Sequence, residues 1–240
     1  MQVELPVKNK TILAVFAHPD DAEFSCAGSV AKWVQEGAQV FYLVCTNGNK
    51  GSNDPKMTPA KLSKIRKEEQ LAAAKILGVK KVFFLNYPDF ELEPSMEVKK
   101  DIVKVIRQVK PDTVITFDPK MRYSVERGYI NHPDHVVVGE ATLAAVYPAA
   151  RDRLTFPEHE KLGLKPHGVS EVLMFNFDEA NFFVDITNTL DKKLEAIKSH
   201  KSQVSNFSEI EKMITEWAKI QGKKASVKFA EGFKRILINF

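Results

Sequence analysis

Residues 11–21, TILAVFAHPDD, decide the fold. The apolar run has the length and composition of a buried strand, and the His-Pro-Asp after it reads as a turn. Pro19 biases His18 toward extended backbone, so the chain turns sharply where the strand ends. Three further runs share this character: QVFYLVCT (39–46), KVFFLN (81–86) and TVITF (113–117). Between them SVAKWVQEG (29–37), LSKIRKEEQLAAAKILG (62–78) and MEVKKDIVKVIRQVK (96–110) read as helices. In the last, Val98, Ile102, Val105, Ile106 and Val109 keep the period of one helix face. Gly37 and Gly78 sit where helix C-caps belong.

This alternation predicts an α/β fold with a mostly parallel sheet and right-handed crossovers. EVLMFNF (171–177) and FFVDI (182–186) add two strands, and helices are expected over 134–146, 188–202 and 207–221. Residues 147–170 are rich in proline and charge and read as an excursion loop. With no fold-scale repeat, low-complexity tract or dividing linker, residues 1–240 are expected to form a single domain.

Composition narrows the function classes. Hydrophobic residues make up 44% and charged residues 28%, which fits a globular chain and not a disordered one. The net charge of +4 is scattered, unlike the basic stripe that nucleic acid requires. Cys26 and Cys45 lack CxxC partners, so no disulfide framework is expected. The run 11–17 is too short to span a bilayer and no cleavage pattern comes after it. These features predict a cytoplasmic protein with no nucleic-acid or membrane partner, and they accommodate a homo-oligomer as well as a monomer.

HPDD occupies 18–21, after the first strand, and HPDH occupies 132–135, after the fourth strand and a loop. Open α/β sheets bind ligands beyond the carboxyl ends of their strands, where the strand order reverses. In a sheet running 3-2-1-4, that point brings the two segments together. A catalytic zinc takes three protein ligands and keeps one open position. His18 and Asp21 supply a close pair and His135 the distant third. Pro133 suits the first helical position and puts His135 in the first turn of a helix. Asp20, left free of the metal, is the expected general base. His132 with Asp134 forms an imidazole beside a carboxylate, suited to acid catalysis and to a developing oxyanion.

AHPDDAE (17–23) followed by AGSVAKW resembles the signature of the PIG-L/LmbE family of N-acetylglucosaminyl deacetylases. The likeness continues through TNGNKGS (46–52), RKEEQLAAAKILGV (66–79), FDPKMRY (117–123), NHPDHVVVGEA (131–141) and HKSQ (200–203). The resemblance implies a Rossmann-like three-layer sandwich and a single zinc held by His18, Asp21 and His135. It also implies Asp20 as base, with His132 and Asp134 as the oriented acid pair. The implied substrate is an N-acylated small molecule, above all an N-acetylated amino sugar. Arg66, Asn47, Arg122, Tyr129 and His200 fall on or beside the matching segments and are the expected substrate-binding residues. Ile130 stands where some sugar deacetylases of the family carry a tyrosine.

Two rivals are defined by chemistry. Two histidines and a carboxylate also make the facial triad of non-haem Fe(II) enzymes, although that site belongs to all-β barrels. A catalytically silent sugar- or nucleotide-binding module would keep the fold without turnover, but HPDDAEFSCAGS replaces the GxGxxG of dinucleotide sites. The histidines of the excursion loop, His159 and His167, are expected at the surface or in local hydrogen bonds.

Overall fold

The structure, a computed structural model, describes residues 10–239; residues 1–9 and 240 of the expected domain lie outside it. Strand β1 (Thr11–Phe16) leads into helix α1 (Asp21–Gln35), then β2 (Gln39–Thr46), α2 (Pro59–Leu77) and β3 (Lys81–Tyr87). Helix α3 (Met96–Val109) and β4 (Thr113–Phe117) come next, then a small hairpin of β5 (Tyr123–Ser124) and β6 (Tyr129–Ile130). The chain continues through α4 (Pro133–Ala144), a π turn at Ala145–Ala149 and the short α5 (Glu158–Lys161). The described chain closes with β7 (Glu171–Phe175), β8 (Phe182–Asp185), α6 (Leu190–Lys198), α7 (Phe207–Ala225) and β9 (Ala230–Leu237).

The main sheet has seven strands in the order β3-β2-β1-β4-β7-β9-β8. Strands β1 to β4 and β7 run parallel, while β9 is antiparallel to both its neighbours. Helices α1, α2 and α6 pack together, and α3 packs with α4. This is the expected mostly parallel α/β architecture. Strand order reverses between β1 and β4, so the chain leaving β1 and the chain leaving β4 flank one crevice. Strand β1 has a hydrogen-bonded neighbour on each side, and Ile12 to Ala17 are all buried.

The structure departs from these expectations at the start of α1, in one further strand and at His159. Helix α1 begins at Asp21, not Ser29. It is buried on nearly every side, so it lacks the one-sided apolar stripe by which a surface helix is read. Its Gly28 lets it close on the chain after β8: an added Cβ would lie 2.8 Å from the Ile186 side chain. Strand β9 was not anticipated. Two of its charged residues are buried in pairs, Glu231 with Lys193 at 2.6 Å and Arg235 with Glu171 at 2.6 Å, which hides a core strand under a polar pattern. Residues 147–170 are ordered by Arg107 of α3, whose buried guanidinium donates to the carbonyls of Ala149, Ala150, Asp152, Thr155 and Phe156. Within that stretch His159 is buried with neither ring nitrogen hydrogen-bonded, while His167 bonds the Pro111 carbonyl at 2.7 Å. Both cysteines are free and buried, and no described helix is long and apolar enough to cross a membrane.

Candidate active site

The HPDD turn folds on itself. The His18 amide donates to the Asp21 carboxylate at 2.7 Å, and Asp20 takes the left-handed conformation, φ 107°. That backbone is unfavourable for a residue with a side chain and persists only where its surroundings enforce it. Here Gln70 of α2 accepts from the Asp20 amide at 3.0 Å, and Arg66, one turn earlier, donates to the Pro19 carbonyl at 2.7 Å. Gln70 in turn donates to Glu23, and His200 bonds Glu23 at 3.1 Å; all three are fully buried. Two helices and the start of HKSQ thus hold the turn from behind.

The second segment is built differently. His132 is the N-cap of α4, its Nδ1 accepting from the Asp134 amide at 3.2 Å, and Pro133 takes the first helical position. Helical geometry then carries Asp134 and His135 inward on the first turn.

His18, Asp21 and His135 converge as a triad able to hold a cation. His18 Nδ1 lies 3.3 Å from His135 Nε2 and 3.3 Å from one Asp21 oxygen, and His135 Nε2 lies 3.2 Å from the other. Three donors set tetrahedrally around zinc would be about 3.3–3.4 Å apart, so the spacing fits. Protonation fits too. The outer nitrogen of His135, Nδ1, faces the Asn131 carbonyl oxygen at 2.9 Å. The outer nitrogen of His18, Nε2, faces Asp89 at 3.1 Å and Asp134 at 3.3 Å. Those partners only accept, so the outer nitrogens hold the protons and both inner lone pairs aim at one point. Burial depresses the His18 pKa, yet Asp21, Asp134 and Asp89 outweigh it and hold the imidazole well above its usual range. The carboxylates that favour a second proton on this ring would equally favour a cation at its inner nitrogen in that proton's place.

Asp20 stands beside the triad but outside it. Its Oδ2 accepts from Arg66 Nη2 at 3.2 Å. Burial pushes its carboxyl up to about 6, although Arg66 pulls the other way. A second cluster joins His18, Asp89, His132 and Asp134. Its distances are looser, with His132 Nε2 3.7 Å from Asp89 and Nδ1 4.0 Å from Asp134. Asp134 Oδ2 accepts from the Phe90 amide at 2.8 Å, while its buried Oδ1 has no hydrogen-bond partner.

Residues 13–146 match the family model described as PIG-L, GlcNAc-PI de-N-acetylase. The chain belongs to the PIG-L family. A diacetylchitobiose deacetylase of Thermococcus kodakarensis is 33% identical over 228 residues, covering 94% of this chain and 82% of the relative. The solved N,N'-diacetylchitobiose deacetylase of Pyrococcus horikoshii, complexed with an inhibitor, superposes with a TM-score of 0.88 at 32% identity, over 95% of this chain and 84% of that one. GalB of Pseudomonas putida KT2440, a 4-carboxy-2-hydroxymuconate hydratase, superposes with a TM-score of 0.79 at 22% identity, over 96% and 98%. That last likeness is one of fold alone, so the reaction has to be argued from the site.

In this PIG-L chain the expected substrate-binding residues are dispersed. Arg66 is buried; it donates also to the Gly48 carbonyl at 3.1 Å and approaches Asp89 at 3.9 Å. Gly48 is left-handed, φ 61°, and an added Cβ would meet that guanidinium at 2.7 Å. Glu69 does not pair with Arg66 but accepts from the Ser202 amide and hydroxyl. Asn47 caps its own turn by accepting from the Asn49 amide at 3.2 Å. Arg122 is exposed and pairs with Glu140 at 3.2 Å. Ile130 is exposed, whereas Tyr129 donates its hydroxyl to Asn131 at 2.9 Å. His200 is sealed against Glu23.

Two residues at the centre escaped the sequence reading. Asp89, in the Pro-Asp after β3, is buried against His18 and His132; burial raises its pKa, but the His18 hydrogen bond overrides this and leaves it below the usual range. Its signal was a third strand-end Pro-Asp. Asn131 accepts from Tyr129, the His132 amide and His135, and its own amide donates to the Met121 carbonyl at 2.6 Å. Its position beside HPDH was the only hint.

Proposed function

We propose that this PIG-L chain is a zinc-dependent hydrolase that removes an acetyl or similar acyl group from the amide nitrogen of an N-acetylated amino sugar. The convergence of two imidazole lone pairs and the Asp21 carboxylate, with Asp20 beside them, supports this most. His18, Asp21 and His135 would hold one zinc per chain. When bound, the cation lowers the pKa of a water molecule and draws electron density from the amide carbonyl. Asp20, held by Arg66 and Gln70, would take a proton from the attacking water. The water oxygen joins the acyl carbon, the C–N bond breaks, and Asp20 passes the proton it took to the departing nitrogen, which leaves as an amine. Because His132 Nδ1 accepts from the Asp134 amide and burial lowers its pKa, the ring is neutral, and its Nε2–H serves as a hydrogen-bond donor to the developing oxyanion and not as the acid. Asp134 and Asp89 steady His18 from behind.

Relatives named as diacetylchitobiose deacetylases favour an amino-sugar substrate. We place the reaction in a single domain and in a reducing, cytoplasmic setting, in keeping with two buried free thiols. The test is an amine-release screen of the zinc-loaded protein against N-acetylglucosamine and diacetylchitobiose, with chelation and zinc restoration. Release that tracks the metal is expected. Tight sugar binding without turnover in the zinc-loaded protein would favour the silent binding module, and turnover restored by iron and oxygen alone would favour the facial-triad rival.

A further inference from the structure

Beside the triad lies a cavity of about 490 Å³ whose wall includes Asp21 and His135. From His135 a chain of aromatic rings runs outward along it. The imidazole stacks on Phe117 at 4.0 Å and 11°, Phe117 meets Phe175 at 6.4 Å, Phe175 meets Phe177 at 4.9 Å, and Phe177 meets Trp217 of α7 at 4.8 Å. Most polar side chains of this wall are already engaged with one another. Arg127 pairs with Asp178 at 2.9 Å while lying over the Phe177 ring, and Ser124 donates to the same carboxylate at 3.0 Å. Tyr129 donates to Asn131, which in turn faces His135.

A pyranose could stack on such rings, but its hydroxyls would find few unengaged partners there. The groups that suit a polar, departing amine are Asp20, Asp89 and His132, and none of them lies in this wall. The two sides of the triad therefore sort an amide by polarity. The methyl of an acetyl group, roughly the 30 Å³ of a water molecule, would fill less than a tenth of the cavity.

We propose that this cavity is an acyl pocket, and that the preferred substrates are amides whose acyl group is a medium-length alkyl chain or an aryl-alkyl group. The proposal rests on the hydrolase reading above: water still adds to the acyl carbon and the C–N bond still breaks, but the carboxylic acid released is larger than acetate.

The test is a series of glucosamines N-acylated with acetyl, hexanoyl, octanoyl and phenylacetyl groups, offered to the zinc-loaded protein with amine release as readout. We expect kcat/KM to rise from acetyl to octanoyl by about tenfold or more, since each added methylene leaves water for an apolar wall. Trp217→Ala should pull the octanoyl-to-acetyl ratio down toward one, and Trp217→Phe should keep it high. A rate that is highest for acetyl and falls with chain length overturns the pocket while leaving the hydrolase reading intact. If no member releases amine, the hydrolase reading fails, and calorimetry with N-octanoylglucosamine and N-acetylglucosamine decides the pocket. Octanoyl binding at least tenfold tighter, lost in Trp217→Ala, supports it; equal or absent binding overturns it.

Discussion

The tripeptide His-Pro-Asp occurs at 18–20 and again at 132–134, and the two copies do opposite work. In the first, the histidine belongs to the triad that could hold a metal and the aspartate is held off it, in left-handed backbone, against Arg66. In the second, the histidine caps a helix and stays off the triad, while the aspartate turns inward to face His18. The difference arises in the backbone immediately after each proline. At Pro133 a helix starts at once, so Asp134 and His135 lie on its first turn. After Pro19 a turn intervenes, and the helix starts only at Asp21. A short motif thus names the residue types available, and the backbone assigns their chemistry.

The largest effect that could break this comparison comes from the triad. His18→Ala, Asp21→Ala and His135→Ala should each lose most bound zinc after dialysis and, with it, turnover; full metal content in all three variants sinks the assignment. Next come the two aspartates. Asp20→Asn should keep its zinc and lose turnover by about a hundredfold or more, as expected for a missing general base. Asp134→Asn should instead weaken zinc affinity by about 10- to 100-fold, because it supports a ligand without being one. If the two asparagine variants behave alike in metal titration and kinetics, the two copies are not specialised.

A smaller effect lies in pH dependence. The base works as a carboxylate, so turnover falls as pH drops through the Asp20 pKa, which burial raises to about 6 against the pull of Arg66. A cation held at Asp21 can only move that acid limb lower, so a limb well above 6 assigned to Asp20 contradicts the placement. Arg66→Met removes a charge that favours the ionised form and should shift the limb upward in a kcat/KM profile. The smallest change is expected at His200. Gln70 still donates to Glu23 when the imidazole is lost, so His200→Gln should lower thermal stability modestly, by about 1–3 kcal/mol for a perturbed buried bond, with kcat reduced less than in Asp20→Asn.

Much of this protein was legible in the chain itself. Strand-length apolar runs alternating with helix-period segments determined a parallel α/β sheet, because burial on both faces leaves strands with no polar positions. Two His-Pro-Asp segments at strand ends pointed to one crevice, because reversal of strand order puts the ends of β1 and β4 side by side. Other features were settled only by tertiary contact. Strand β9 was unreadable because its buried charges are cancelled by Lys193 and Glu171, distant in sequence. Asn131 carries no pattern of its own and Asp89 only a strand-end Pro-Asp, and both matter through the imidazoles they face. The separate duties of Asp20 and Asp134 depend on φ angles and on Arg66 and Gln70, which sit on another helix. Local sequence fixes what a segment can become; which lone pair points where depends on neighbours that folding brings together.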